Sequence, residues 1–240
     1  MTRHLVRLVV LVLAAAALTG CDETSSLARP TAPVVLTGAR LPSLVGTAPN
    51  RLVAFRHLTE SRGQTWAQIP VQVDQRKVVA FGSAPATNGV AGVTGTVYGS
   101  GSGGPTALQY ADPNTFVGAD TDPNLDANDE VVFMASDSGG VAQADAAEPA
   151  GVVAGSGVAV RVDDPRQHGQ RGWVYLFRSA GALDPAAGKD YVDYRFALTS
   201  GAYKSTYRRA VGPNPETSKA TTANYEIGFS DRWFEDSWKV

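Results

Sequence analysis

Beyond its N-terminal leader, this chain has no window of twelve residues with apolar side chains at the i, i+3, i+4, i+7 spacing of a helix face. Its 25 glycines and 14 prolines instead cut the apolar runs short. Short apolar runs between frequent turn signals favour a mainly β fold, an antiparallel sandwich or barrel-like sheet with long Gly/Ser-rich and acidic loops. At 240 residues the chain is long enough for one large β domain or two small ones.

The runs can be placed. Arg51–Phe55 reads as a strand, followed by a turn over Glu60-Ser61-Arg62-Gly63-Gln64 and a second strand over Trp66–Asp74. In the second, Ile69, Val71 and Val73 share one face, and Pro70 pushes the strand toward an edge or a bulge. Phe81–Pro105 is dominated by small residues and is expected as a long loop or hairpin excursion. Glu130–Ala135 reads as a buried strand stopped by Asp137-Ser138-Gly139-Gly140, and Val141–Ser156 carries only a weak pattern. Val158–Val162, Trp173–Phe177, Tyr191–Phe196, Tyr203–Tyr207 and Tyr225–Phe229 are the remaining strand candidates. The last eleven residues are aromatic-rich and have no terminator, so the chain is expected to be a truncated gene product or the first part of a longer polypeptide.

The leader has Arg3, His4 and Arg7, then eleven uncharged residues from Leu8 to Leu18, then Thr19-Gly20-Cys21. That is too short for a spanning helix, which needs ~20 apolar residues, and has the layout of a secretory signal. Leu18-Thr19-Gly20-Cys21 resembles the lipobox of bacterial lipoproteins. The resemblance implies cleavage after residue 20, diacylglycerol on the Cys21 sulfur, and an extracytoplasmic, lipid-anchored place in the bacterial cell envelope. The alternative is a lone thiol near an ordinary signal-peptide cut. Cys21 is the only cysteine, so no internal disulfide forms and the fold must hold by its core or by a bound metal. The expected division is a signal peptide over 1–20, a polar, Pro-containing tether over 21–39 that lifts the domain off the membrane, and a β-rich domain over 40–240.

Loss of residues 1–20 leaves 19 basic against 23 acidic residues, a net charge of −4. The distribution is more telling than the sum. No Lys or Arg occurs from Val78 to Val160, a stretch holding nine acids: Asp112, Asp120, Asp122, Asp126, Asp129, Glu130, Asp137, Asp145 and Glu148. Carboxylates without local counter-ions repel one another, and a divalent cation or a solvated loop relieves them. Nucleic acid is excluded as a partner, because its phosphates would be repelled.

The densest segment is Asp122-Pro123-Asn124-Leu125-Asp126-Ala127-Asn128-Asp129-Glu130. Oxygen ligands at alternate positions can wrap one hard cation. The spacing resembles the calcium loops of EF-hand, dockerin and thrombospondin type 3 repeats. That resemblance implies Asp122, Asn124 and Asp126 as side-chain ligands, the Asn128 backbone carbonyl, and Asp129 or Glu130 as the closing carboxylate, with Asp120 one step upstream. Ala127 stands where such loops usually have Gly, Pro123 stiffens the start, and a strand follows rather than a helix. Calcium in a β-lodged loop is the expectation, against a solvated acidic turn before a strand.

Catalytic patterns are weaker. Ser136-Asp137-Ser138-Gly139-Gly140 resembles the nucleophile segment of trypsin-like proteases, with His57 and Asp74 upstream in the right order. Ser136 replaces the first glycine and His57 lacks the usual neighbours, so an ordinary turn is expected. His168 is expected in an exposed loop. Asp163, Asp164, Asp193 and Glu226 could serve as paired carboxylates of a carbohydrate-active hydrolase or lyase, but nothing pairs them by spacing. Trp173, Tyr175, Tyr191, Tyr194, Trp233 and Trp238 could stack on sugars or fill the core and rim of a sheet.

Gln68–Asp74, Asp126–Met134, Asp190–Phe196, Gly212–Glu216 and Gly228–Trp233 together resemble the N-terminal part of a group of large secreted bacterial proteins with no established activity. The resemblance covers roughly residues 40–240 and implies export and β structure, with no catalytic residues to transfer. The expected protein is a membrane-anchored, calcium-stabilised binding or structural module with a polysaccharide or protein ligand.

Overall fold

The computed structural model describes residues 25–27, 29, 31–60, 63–80, 106–111, 113, 117–197, 216–231 and 237–239. The signal peptide, Cys21, Phe81–Pro105, Tyr203–Tyr207 and Trp233 lie outside them. The strands are β1 (Pro33–Thr37), β2 (Leu52–Glu60), β3 (Gly63–Ile69), β4 (Gln72–Asp74), β5 (Arg76–Ala80), β6 (Thr106–Tyr110), β7 (Glu130–Met134), β8 (Val158–Asp163), β9 (Arg171–Arg178), β10 (Val192–Arg195), β11 (Glu216–Thr222), β12 (Glu226–Asp231) and β13 (Ser237–Lys239). They pair in the orders β1-β7-β4, β3-β2-β9-β8, β5-β6 and β10-β11-β12-β13. Every pairing is antiparallel, as expected, and among the described residues no sheet closes into a barrel.

The first two sheets pack face to face. Val131 and Phe133 of β7 meet Leu52 and Ala54 of β2, Ile69 of β3, and Val174 and Leu176 of β9 in one core. Val34, Leu36 and Val73 pack on it from the β7 sheet, and Val158, Val160 and Val162 from β8. The alternation predicted for Ile69, Val71 and Val73 holds: all three face this core. Pro70 sits where the chain leaves β3, an edge strand of one sheet, to become β4, an edge strand of the other. A residue without an N–H fits a corner at which neither ladder needs one.

Alternate residues of β2 and β9 face outward into a second, aromatic cluster of Val53, Phe55, Tyr175 and Phe177. Trp66 packs edge-on to His57, Tyr175 and Phe177. Ala142, Val152 and Leu183 cover this cluster, so the weakly patterned 141–156 stretch is a lid of turns over the outer face of the sheet. β5 pairs with β6 from Arg76↔Tyr110 to Ala80↔Thr106, and the expected loop over Phe81–Pro105 falls outside the described residues.

The expected tether differs most from the structure. Pro33–Thr37 is β1, an edge strand on β7, and Ala135 donates to the Ala32 carbonyl at 2.9 Å to extend that ladder. Upstream, Ser26 N–H donates to Arg171 O at 2.9 Å, and Arg171 N–H donates to Ser26 Oγ at 2.9 Å. Ser25 Oγ bonds Ser138 Oγ at 2.7 Å. Gly172 allows this close approach: a Cβ there would lie 2.2 Å from Ser138 Oγ and 2.6 Å from Ser25 Oγ. Arg29 forks onto Asp164, Nε to Oδ2 and Nη2 to Oδ1, both at 2.7 Å. The polar composition of residues 25–29 therefore supplies hydrogen bonds to the end of the sandwich rather than solvation for a free spacer.

Candidate metal centre

Asp120–Glu130 precedes β7 at the end of the sandwich opposite Ser25. Loop and rim hold each other through backbone bonds: Leu125 N–H to Thr47 O at 2.8 Å, Gly46 N–H to Leu125 O at 2.8 Å, Ala39 N–H to Ala127 O at 2.9 Å and Gly38 N–H to Asp129 O at 2.9 Å. Leu125, fully buried, is the apolar plug that fastens this polar loop to the core. Gly38 is required by the approach, since a Cβ would stand 1.8 Å from the Asp126 carbonyl oxygen.

The fastening brings three acids together. Carboxylate oxygens of Asp120, Asp126 and Asp129 lie within 4.8 Å of one another. Asp129 is 1% exposed, the other two half-buried. Asp129 Oδ1 accepts the Arg76 backbone N–H at 2.7 Å, and its Oδ2 accepts that of Asp126 at 2.9 Å. Asp126 Oδ1 accepts from the backbone of Asn128 at 2.7 Å and Asp129 at 3.2 Å, and Asp120 Oδ1 from that of Asp122 at 3.1 Å. Burial pushes the Asp129 carboxyl above its ordinary value of 3.8; the charges of Asp126 and Asp120 add to the rise, and the two N–H donors oppose it.

Other expected ligands stand elsewhere. Asp122 is outside the triad, and its Oδ1 accepts the Asn124 N–H at 3.0 Å in a local turn that also sets where Asn124 sits. The Asn128 carbonyl accepts both Nε, at 2.7 Å, and Nη2 of Arg76. Glu130 takes Nη1 of the same guanidinium and the Tyr110 hydroxyl, the latter at 2.9 Å. Lys77 Nζ donates to Ala119 O at 2.6 Å. The acidic segment thus has neighbouring cations after all, from two residues immediately before the stretch that lacks them. The alternating ligand pattern breaks because Arg76 draws Asn128 O and Glu130 to one side. Gly38, Thr47, Arg76 and Lys77 were not legible as site residues; the adjacent Arg76-Lys77 pair was the one available signal.

Among the described residues, no ion pair reaches Asp120, Asp126 or Asp129. Asn128 Oδ1 is buried with no hydrogen-bond donor among them, although its own amide nitrogen donates to Asp126 Oδ2 at 3.1 Å.

No protein-family model, curated protein or solved structure matches this chain.

The catalytic patterns separate in space. Ser138 Oγ donates to Ala135 O at 2.7 Å and bonds Ser25, on the face that Gly172 shares with the inner core. His57 packs edge-on to Trp66 over the outer cluster, so the two do not form a nucleophile–base pair. Asp163 pairs with Arg161, Asp164 with Arg29, Asp193 with Arg195 and Glu226 with Lys219. Register places Asp193 and Glu226 on either side of Thr221, two strands apart, on a sheet face where each carboxylate already has its cation. His168 is exposed in the β8–β9 turn, as expected. A recess of about 480 Å³ opens beside Trp66, His57, Thr65 and Glu148, where the indole N–H donates to Ala147 O at 2.7 Å.

Proposed function

We propose that this chain is an extracytoplasmic lipoprotein of the bacterial cell envelope, anchored through diacylglycerol on Cys21, whose β-rich domain is a binding or structural module stabilised by calcium. The cation belongs at Asp120, Asp126 and Asp129, with the side-chain oxygen of Asn128 as a further donor. The observation that carries this reading is the convergence of three carboxylates without a cationic partner among the described residues, one of them almost wholly buried. Like charges so placed are costly to assemble, and a hard divalent ion with flexible oxygen coordination offsets that cost. The orphaned Asn128 oxygen is a second unmet acceptor beside Asp126. The recess beside Trp66 offers an external polysaccharide or protein ligand an aromatic edge to rest on.

Thermal melting with calcium or with chelator tests the metal. A ligand bound only by the folded state raises stability by about 2.7 kcal/mol at 100-fold excess over Kd, which for a domain of this size is roughly 5–10 °C in Tm. Asp126→Asn should abolish the shift. Coincident melting curves for wild type in calcium and chelator would remove the metal from the reading.

A further inference from the structure

We propose that the recess beside Trp66 recognises an alkylammonium group, the chemistry that a lysine side chain or a free amine presents. The inference rests on the reading of that recess as a ligand site. It adds the chemical class of the ligand: a cation on an aliphatic stem rather than a polysaccharide.

The first support is the shape and stiffness of the recess. Phe55 and His57 of β2 and Thr65 and Trp66 of β3 line it from the sheet, and residues 146–150 line it from the covering turns. Trp66 is half-buried and held on several sides. Its ring packs edge-on to His57 at 4.9 Å and to Tyr175 at 5.0 Å between centroids, and its N–H is spent on Ala147 O. A ring fixed beforehand loses little freedom when a ligand arrives, and indole attracts cations through its π-system. Ala146, Ala147, Pro149 and Ala150 are short and apolar. They leave about 480 Å³, within the ~300–1,000 Å³ usual for small-ligand sites. Such a wall suits an aliphatic stem.

The second support is the polar lining. Glu148 brings the one carboxylate, and no Lys or Arg lines the recess. The Gly155 N–H donates to Glu148 Oε2 at 3.0 Å, and Gly155 has φ +72°, where glycine is favoured. The turn that follows thus fixes the carboxylate at the recess. Among the described residues no ion pair reaches Glu148. The covering stretch over 141–156 holds Asp145 and Glu148 and no basic residue. The bases of the sheet are engaged or turned away. Arg56 alternates to the inner face with Ala54, Arg161 pairs with Asp163, and Arg51 reaches to Gly181. Arg171 lies on β9, which Gly139 and Gly140 separate from β2 at this end. Glu60 and Arg62, at the β2–β3 turn, sum to zero charge. A carboxylate beside aromatic rings with no cation of its own is complementary to a cation from outside, and the pair gains more there than in open water. A sugar fits less well, because it presents hydroxyls all round. The indole N–H is already spent and His57 is 1% exposed, so Thr65 and Glu148 are the side chains left to bond them.

Nuclear magnetic resonance titration of the full-length, nitrogen-15-labelled protein in detergent with Nα-acetyl-lysine methylamide tests this. The signal is the indole N–H of Trp66, which Trp66→Phe identifies among the four tryptophans. The probe's one charge is its ammonium. The norleucine analogue, which ends in a methyl group, should bind about tenfold more weakly. Glu148→Gln keeps an oxygen for the Gly155 N–H and should weaken the lysine probe about three- to fivefold. Added salt should weaken the wild type more than this variant. n-Butylammonium that binds as tightly as the lysine probe would assign the recess to free amines as well; weaker binding would assign it to lysine within a chain. Equal affinity for the lysine and norleucine probes, or an unchanged affinity in Glu148→Gln, would overturn the ammonium. A Trp66 response to a neutral oligosaccharide such as cellotetraose, with none to the lysine probe, would overturn this inference and keep the recess as a ligand site. Silence toward every probe would remove both.

Discussion

Asp129 shows how one side chain carries opposing demands. Its two oxygens each accept a backbone N–H, which favours the ionised form, while burial and two neighbouring carboxylates disfavour it. Burial prevails and the folded-state pKa is raised, so the folded chain binds a proton here more readily than the unfolded chain. Without a cation, the stability Asp129 provides is complete below its ordinary 3.8 and is lost as pH rises through the raised value. Calcium bound as proposed would reverse this, because it takes the ionised form. Asp129→Asn replaces one acceptor oxygen with an NH2 that faces an N–H donor, and should cost about 1–3 kcal/mol in urea unfolding. In chelator, the wild type's advantage over the variant should widen as pH falls from 7 toward about 4, a trend calcium should reverse. A flat difference across that range would show that the carboxyl is not perturbed.

At the scale of elements, the sequence was most legible where a pattern had one reading. The alternation around Ile69, Val71 and Val73, the brake at Pro70 and the apolar run from Val131 were enough to mark strand residues that meet in the shared core of the two sheets. β1 was not legible, because Pro33 and the polar residues before it have the composition of a spacer, and the partners that order them lie about a hundred residues or more downstream. The candidate site divides the same way. Asp120, Asp126 and Asp129 are a local cluster, whereas the roles of Gly38 and Thr47 depend on tertiary approach. The Arg29–Asp164 clamp is the element-scale device that a polar pattern hides. The Arg29 guanidinium, aided by the Arg166 N–H, holds the Asp164 carboxyl well below the usual carboxylate range. Its contribution is therefore complete above the ordinary 3.8 and lost as pH falls through the depressed folded value. Asp164→Asn should lower Tm at pH 7, with the gap to wild type narrowing on acidification below about pH 4. A gap that persists undiminished at pH 2 would show that the pair contributes through shape rather than charge.

Over the whole molecule, the carboxylate triad and the docked N-terminal segment lie at opposite ends of the sandwich. Cys21→Ser should remove both lipid labelling and membrane co-fractionation, because the acyl chains are the proposed hold on the bilayer. Unchanged fractionation would mean that the protein is held by something other than its own lipid. The docked segment also constrains the order of assembly. Ser26 waits for Arg171 and Arg29 for Asp164, separations of 145 and 135 residues. Closing a loop of that length has an entropic cost that grows only slowly with length, so the delay comes from availability rather than from the search. Under the proposed export, the residues that cross first can settle only after most of the polypeptide has followed, and until Arg171 emerges the end of the sandwich that Ser26 closes stays open.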